Sequence, residues 1–200
     1  MKGEFGVRKS GIVRKTLETE IRADLNIDGQ GKTILDTEIG FFDHMLNSFC
    51  RFGYFDLELK AAGDINIDPH HTIEDCGIVL GQVFKNALGD KTGIERTGDC
   101  LFPMDEALVQ VAVDISNRGY LIWKVDCPDG LVGDFPVEMA EEFFRALAIN
   151  AGITLHIILL DGKNRHHILE AVFKGAGRAL GLAAKIDPRN QGIPSTKGVL

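Results

Sequence analysis

One five-residue pattern occurs twice, as His70-His71-Thr72-Ile73-Glu74 and His166-His167-Ile168-Leu169-Glu170, once in each half of a 200-residue chain. On a helix the first histidine and the glutamate of each copy lie four residues apart and share a face, whereas adjacent histidines diverge by roughly 100°. One His-His pair therefore cannot easily close on a single ion, and two pairs point to two metal ions. A repeated pattern of this kind also requires the two halves to fold alike.

The flanking sequence bears out that requirement. In the first half, apolar residues alternate at Ile21, Ala23, Leu25 and Ile27, and Asp28-Gly29 then signals a hairpin with Lys32–Ile39 as its return strand. Helical spacing follows from Phe41 to Phe52, with His44 inside it and Gly53 at its end. Phe55–Ala62 alternates again, and Thr72–Leu88 is helical up to Gly89. The second half repeats the order: strands over Ala107–Ile115 and Tyr120–Cys127, a helix over Val137–Ala151, a strand over Thr154–Leu160, and a helix over His166–Ala184. Gly93–Gly98 reads as the connection between the halves.

The register agrees as well. His44 precedes His70 by 26 residues and Glu142 precedes His166 by 24, while Leu57 and Leu155 each lie 13 residues beyond His44 and Glu142. The expected fold is α+β: strand-strand-helix-strand-helix halves whose apolar helix faces join, giving a four-helix layer between two small β-sheets. This is an arrangement of the ribosomal protein S5 domain 2-like type. Residues 1–200 are expected to form one domain with pseudo-twofold symmetry, from halves 1–92 and 93–190 and a tail, 191–200.

With 44% hydrophobic residues the chain has material for a sizeable core, and its formal charge of −7 argues against a general nucleic-acid surface. Cys50, Cys76, Cys100 and Cys127 form no C-x-x-C pair, so neither a zinc ribbon nor a disulfide framework is expected. The basic amino end lacks the apolar run of a signal peptide, and no segment reaches the roughly 18 apolar residues of a membrane span. A cytoplasmic protein is expected, with no membrane or nucleic-acid partner. A metal hydrolase is disfavoured because H-E-x-x-H and H-x-x-E-H are both missing. A metal-storage bundle is disfavoured because strands interrupt the helices.

In order along the chain, Gly40-Phe41-Phe42-Asp43-His44-Met45-Leu46, Asp68-Pro69-His70-His71-Thr72-Ile73-Glu74-Asp75, Pro103-Met104-Asp105-Glu106-Ala107-Leu108, Thr154-Leu155-His156, the second His-His-x-x-Glu pattern and Pro194-Ser195-Thr196-Lys197-Gly198 together resemble the imidazole glycerol-phosphate dehydratases of histidine biosynthesis. The match extends from Arg14 to the tail. It implies two manganese ions (Mn2+) per active site, with His44, His70, His71, Glu74, His166, His167 and Glu170 as ligands. Many members of that family have histidine where this chain has Glu142. Mixed imidazole and carboxylate ligands suit manganese, so Glu142 is assigned as a metal residue, against the alternative that it faces solvent at its helix start. His156, in a strand, is expected to be a hydrogen-bonded core histidine.

The resemblance also implies the chemistry, a dehydration of imidazole glycerol phosphate to imidazole acetol phosphate by a hydro-lyase. The hydrogen to be lost has no carbonyl beside it. The substrate's imidazole, stabilised as imidazolate by metal, would instead supply the electrons that expel the hydroxyl, through a diazafulvene-like intermediate. Glu18 is the expected proton-transfer carboxylate, against the alternative of a strand residue paired with Lys15 or Arg22. His44, His71, Glu74, His167 and Glu170 take part in catalysis through the ions, and His70 in holding substrate. Arg96, Arg118, Lys174, Ser195, Thr196 and Lys197 are the expected phosphate-binding set. The family further implies a homo-oligomer, a 24-subunit particle with active sites between subunits, and a tail that covers the substrate.

Overall fold

The computed structural model describes residues 7–190 and 192–198. The first half contains β1 (Lys9–Lys15), β2 (Thr19–Asn26), β3 (Thr33–Asp36), α1 (Gly40–Gly53), β4 (Asp56–Gly63) and α2 (His70–Leu88). The second contains β5 (Thr97–Met104), β6 (Ala107–Asp114), β7 (Tyr120–Lys124), β8 (Leu131–Val132), β9 (Phe135–Pro136), α3 (Met139–Ala151), β10 (Thr154–Asp161) and α4 (Arg165–Ala184).

The strand orders are β1-β2-β4-β3 and β5-β6-β10-β7, the same topology drawn twice. In each sheet the last strand runs parallel to its central neighbour, β3 beside β4 and β7 beside β10, and the other pairs are antiparallel. Period-two alternation orients the faces: β2 buries Ile21, Ala23 and Leu25 and turns Glu20, Arg22 and Asp24 to solvent. The four helices lie between the sheets, α1 against α4 and α2 against α3, with α2 covering β1 and β2 and α4 covering β5 and β6. Buried aromatics join the layer: Phe143 of α3 packs on Phe42 of α1 and Phe173 of α4, with ring centroids 5.3 and 5.4 Å apart. Each such ring contributes about 1.5–3 kcal/mol by leaving water. Among the described residues no helix is long and apolar enough to cross a membrane.

Several local expectations change. β2 does not form a hairpin with β3, because β4 inserts between them, and the real hairpin is β1–β2. Each four-stranded sheet has one strand more than the alternation suggested. The additional strands, β1 and β5, are edge strands with half-exposed faces and with Gly11, Gly98 and Pro103 in their sequences, so their periodicity is weak. β5 accordingly occupies part of the expected connection. The β8–β9 hairpin, also unexpected, sits between β7 and α3. His156 is exposed on β10, since the alternation that buries Leu155 and Ile157 turns it outward. The expected core histidine is therefore a surface residue.

Two glycines set the helix spacing. A Cβ on Gly177 of α4 would stand 2.0 Å from the Phe49 carbonyl oxygen of α1, and one on Gly81 of α2 would stand 2.7 Å from the Leu147 carbonyl oxygen of α3. Gly177 lies eleven residues after His166 and Gly81 eleven after His70, while Phe49 and Leu147 lie five after His44 and Glu142. The two helix pairs are thus packed in the same register. Gly177→Ala and Gly81→Ala should each lose about 1–3 kcal/mol in urea denaturation because backbone must move apart. Gly40→Ala, whose methyl meets open space, should stay within about 0.5 kcal/mol.

Candidate metal centre

The approach of α1 to α4 brings His44, His166 and Glu170 together, with one ligand atom from each within 4.8 Å of the others. Glu170 Oε1 lies 3.6 Å from His44 Nε2, and Oε2 lies 3.2 Å from His166 Nε2. An ion held at about 2.1 Å from each donor needs neighbouring donors about 3 Å apart, so two imidazoles and a carboxylate at these separations fit a divalent transition metal. Phe41 packs edge-on against both histidines, its ring 6.2 Å from His44 and 5.1 Å from His166. Glu170 is only 7% exposed. Burial pushes its carboxyl up, but the Lys174 ammonium at 2.8 Å and the two histidines outweigh that and hold it below its ordinary value.

Local caps place these side chains. Ile39 offers α1 no side-chain cap, and Asp134, in the β8–β9 turn, instead accepts the N–H groups of Gly40 and Phe41 at 3.1 and 3.4 Å. Asn164 caps α4 by accepting from the N–H groups of His166 and His167. Asp68 accepts the His70 N–H at 2.6 Å at the start of α2.

The corresponding group on α2 and α3 is looser. His70 Nε2 and Glu74 Oε2 are 3.7 Å apart and about two-fifths exposed. The Glu142 carboxylate lies 3.8 Å from Arg145 Nε, and it joins no three-donor group among the described residues. Its backbone nevertheless occupies the position opposite His70 that His44 occupies opposite His166.

His71 and His167 stand outside both groups, and each has its Nδ1 beside a carboxylate. His71 Nδ1 is 3.1 and 3.2 Å from the two oxygens of Asp64, with Glu18 Oε2 at 3.9 Å. His167 Nδ1 is 2.7 Å from Glu106 Oε2. These hydrogen bonds raise both histidine pKa values above the ordinary range. The same His167 bond and the N–H of Asn164 draw the Glu106 carboxyl down to about 2. Neither Asp64 nor Glu106 was assigned a role from sequence. The available signal was the turn position of Glu106, matching that of Glu18 in the other half.

Glu18 sits in the β1–β2 turn, 56% exposed, and pairs with neither expected partner: Lys15 bonds Glu20 and Arg22 bonds Asp24. Of the expected phosphate set, Lys174 adjoins the metal group, 5.5 Å from the Phe52 ring centroid. Arg96 donates to Asp114 and to the Pro194 carbonyl at 2.8 Å, tying the tail to the segment before β5. The Arg118 N–H donates to the Ser116 hydroxyl, and the Lys197 N–H to the Ser195 hydroxyl. Among the described residues no hydrogen bond joins Ser195, Thr196 or Lys197 to the metal group. Residues 191, 199 and 200 of the tail lie outside the described residues.

A duplicated α+β sandwich that clusters imidazole and carboxylate donors between two helices is a recognisable kind of protein. A model of the family described as imidazoleglycerol-phosphate dehydratase matches residues 37–180, and the chain belongs to that family. It is 66% identical over 194 residues to the imidazoleglycerol-phosphate dehydratase of Desulfitobacterium hafniense, covering 97% of this chain and 99% of that protein. To the protein of the same name from Pelobacter propionicus it is 57% identical, over 96% of this chain and 99% of the other. Crystal structures of the Staphylococcus aureus and Pyrococcus furiosus enzymes superpose with TM-scores of 0.81 and 0.82, each at 39% identity. They cover 90% and 94% of this chain and 99% and 100% of their own.

The raised His71 pKa has a stability consequence in metal-free protein. Its pairing with Asp64 adds stability that is complete below the ordinary histidine value of 6.5 and is lost as the pH rises through the elevated folded value. Thermal melts of wild type and Asp64→Asn should therefore differ most between the carboxylate range and pH 6.5 and converge only above the elevated folded value. A gap constant with pH would remove charge pairing as its cause.

Proposed function

We propose that the protein is a hydro-lyase that removes water from imidazole glycerol phosphate to give imidazole acetol phosphate, in the cytoplasm, as a step of L-histidine biosynthesis. The observation that carries the reading is the His44–His166–Glu170 group, a divalent-metal donor set assembled inside a member of this family. Two manganese ions per active site are proposed. One is held by His44, His166 and Glu170, and the other by His70, Glu74 and Glu142 once that carboxylate turns from Arg145. His71 and His167, which lie outside both groups within one chain, contribute from neighbouring copies. This supports a homo-oligomer, proposed as the 24-subunit particle implied by the family.

The ions, when bound, supply Lewis acidity to the substrate's imidazole ring, letting it act as an imidazolate. Ring electrons then expel the adjacent hydroxide and leave a diazafulvene-like intermediate. Glu18, in a solvent-facing turn near His71, takes the proton from the neighbouring carbon, and the resulting enol tautomerises to the ketone. Lys174, one turn of α4 beyond Glu170, places a phosphate-binding ammonium beside the proposed metal-holding carboxylate. Arg96 holds the Pro194 carbonyl, so the guanidinium proposed for phosphate also positions the tail bearing Ser195, Thr196 and Lys197. Arg118 completes the phosphate set. A tail closing over bound phosphate excludes water from the reacting ring.

Purified protein assayed with imidazole glycerol phosphate should lose turnover on chelation and regain it with Mn2+; turnover indifferent to chelation would contradict the metal reading. Glu18→Gln should lower turnover about 10²–10⁴-fold with metal content unchanged. Near-normal turnover would remove Glu18 from the proton transfer. Truncation before Pro194 should weaken substrate affinity and spare metal loading, and an unchanged KM would refute the covering role of the tail.

A further inference from the structure

Glu106 joins the β5–β6 turn to three donors clustered at the start of α4. It sits in the two-residue turn between β5 and β6. Its Oε1 accepts the N–H groups of Lys163 and Asn164 at 3.2 and 2.8 Å, just before α4, and its Oε2 meets His167 Nδ1 at 2.7 Å. An ionised carboxylate only accepts, so Nδ1 must carry the proton, and in the neutral ring Nε2 is then left with its lone pair. Among the described residues Nε2 has no hydrogen bond: Asp105 Oδ2, on an exposed side chain, is 3.6 Å away.

From this geometry we propose that Glu106 is a positioning residue, fixing His167 as the Nδ1–H tautomer and presenting Nε2 as its metal-ligating atom. The inference rests on the metal-dependent reading above for what Nε2 binds, but not for the tautomer. Glu106 does this through two anchored oxygens. Because Oε1 is held by two backbone N–H groups, the carboxylate cannot rotate, and whatever occupies the Oε2 position decides which ring nitrogen is protonated.

His71 provides an internal contrast. Asp64 also holds an Nδ1, but among the described residues its carboxylate accepts no backbone N–H, so an amide there is free to turn its oxygen toward the ring. Asp64→Asn therefore keeps the His71 tautomer. In Glu106→Gln the amide oxygen stays with the two N–H donors, and the NH2 group faces His167 Nδ1. That reverses the roles, making Nδ1 an acceptor and placing the proton on Nε2, where it blocks a metal. Glu106→Ala removes the bias without imposing the wrong tautomer.

The test is imidazole ¹⁵N NMR of the metal-free full chain in alkaline buffer, where the rings are neutral, alongside Mn2+ titration of the same samples. His167 should be the Nδ1–H tautomer in wild type and the Nε2–H tautomer in Glu106→Gln, whereas His71 should be the Nδ1–H tautomer in both wild type and Asp64→Asn. Mn2+ affinity should fall about 10–100-fold in Glu106→Gln, and by less in Glu106→Ala. A purely structural role would make alanine at least as damaging as glutamine and leave the Gln tautomer unchanged, and either result overturns the proposal. Circular dichroism of each variant separates unfolding from retuning. A wild type that shows the expected tautomer but binds no Mn2+ would refute the metal reading while leaving the positioning role intact.

Discussion

The His44–His166–Glu170 donor group depends on two helices whose backbones touch. Gly177 lets α4 rest on the Phe49 carbonyl of α1, and only at that separation does the His44 imidazole reach the carboxylate of Glu170. A side chain at that crossing would move the axes apart by more than the few tenths of an ångström that donor geometry tolerates. Close packing of small residues therefore substitutes for any loop or disulfide in bringing the ligands together. The buried Phe42, Phe143 and Phe173 fill the space on either side and keep the crossing from sliding.

The second helix pair has the same backbone register but a different chemical state, and the β8–β9 hairpin accounts for part of the difference. It has no counterpart between β3 and α1, where only three residues intervene. Its turn residue Asp134 caps α1, and its Phe135 packs 5.7 Å from Phe41, which in turn lies against His44 and His166. The insertion thus braces one donor group while leaving the other, His70 with Glu74, exposed and separated from Glu142. Lys174 widens the contrast: the residue four after Glu74 is the apolar Ile78, so of these two helices α4 alone carries a cation one turn beyond its glutamate.

Much of this was legible in the sequence because duplication supplies its own check. The interior strands β2, β4 and β6 and all four helices were readable from strong apolar periods and β10 from a continuous apolar run, and the matching offsets of His44 and Glu142 anticipated the equivalent helix pairs. What escaped was governed by neighbours distant in sequence. β1 and β5 are edge strands with one weakly apolar face, and their assignment depends on a partner strand rather than on their own pattern. The apparent β2–β3 hairpin failed because turn chemistry at Asp28-Gly29 says nothing about which strand later fills the gap. His156 was misplaced for a simpler reason: β10 is apolar on both faces, so its residues do not announce which way they point. The grip of Arg96 on the tail and of Asp134 on α1 likewise join residues nearly a hundred positions apart.

The carboxylates behind the histidines show how a symmetric scaffold acquires separate tasks. Glu18 and Glu106 occupy equivalent turns, β1–β2 and β5–β6. In the second half the turn carboxylate is spent on His167, fixed by a short bond and two backbone donors. In the first half Asp64, supplied from the end of β4, takes over the ring nitrogen, and Glu18 is left at 3.9 Å with its carboxylate open to solvent. Gly162 stands where α4 follows β10, so the second half has no acid in that loop to release Glu106 in the same way. One extra carboxylate in one loop is therefore enough to convert a turn whose acid holds a histidine ring into a turn whose acid stands free of the ring and open to solvent.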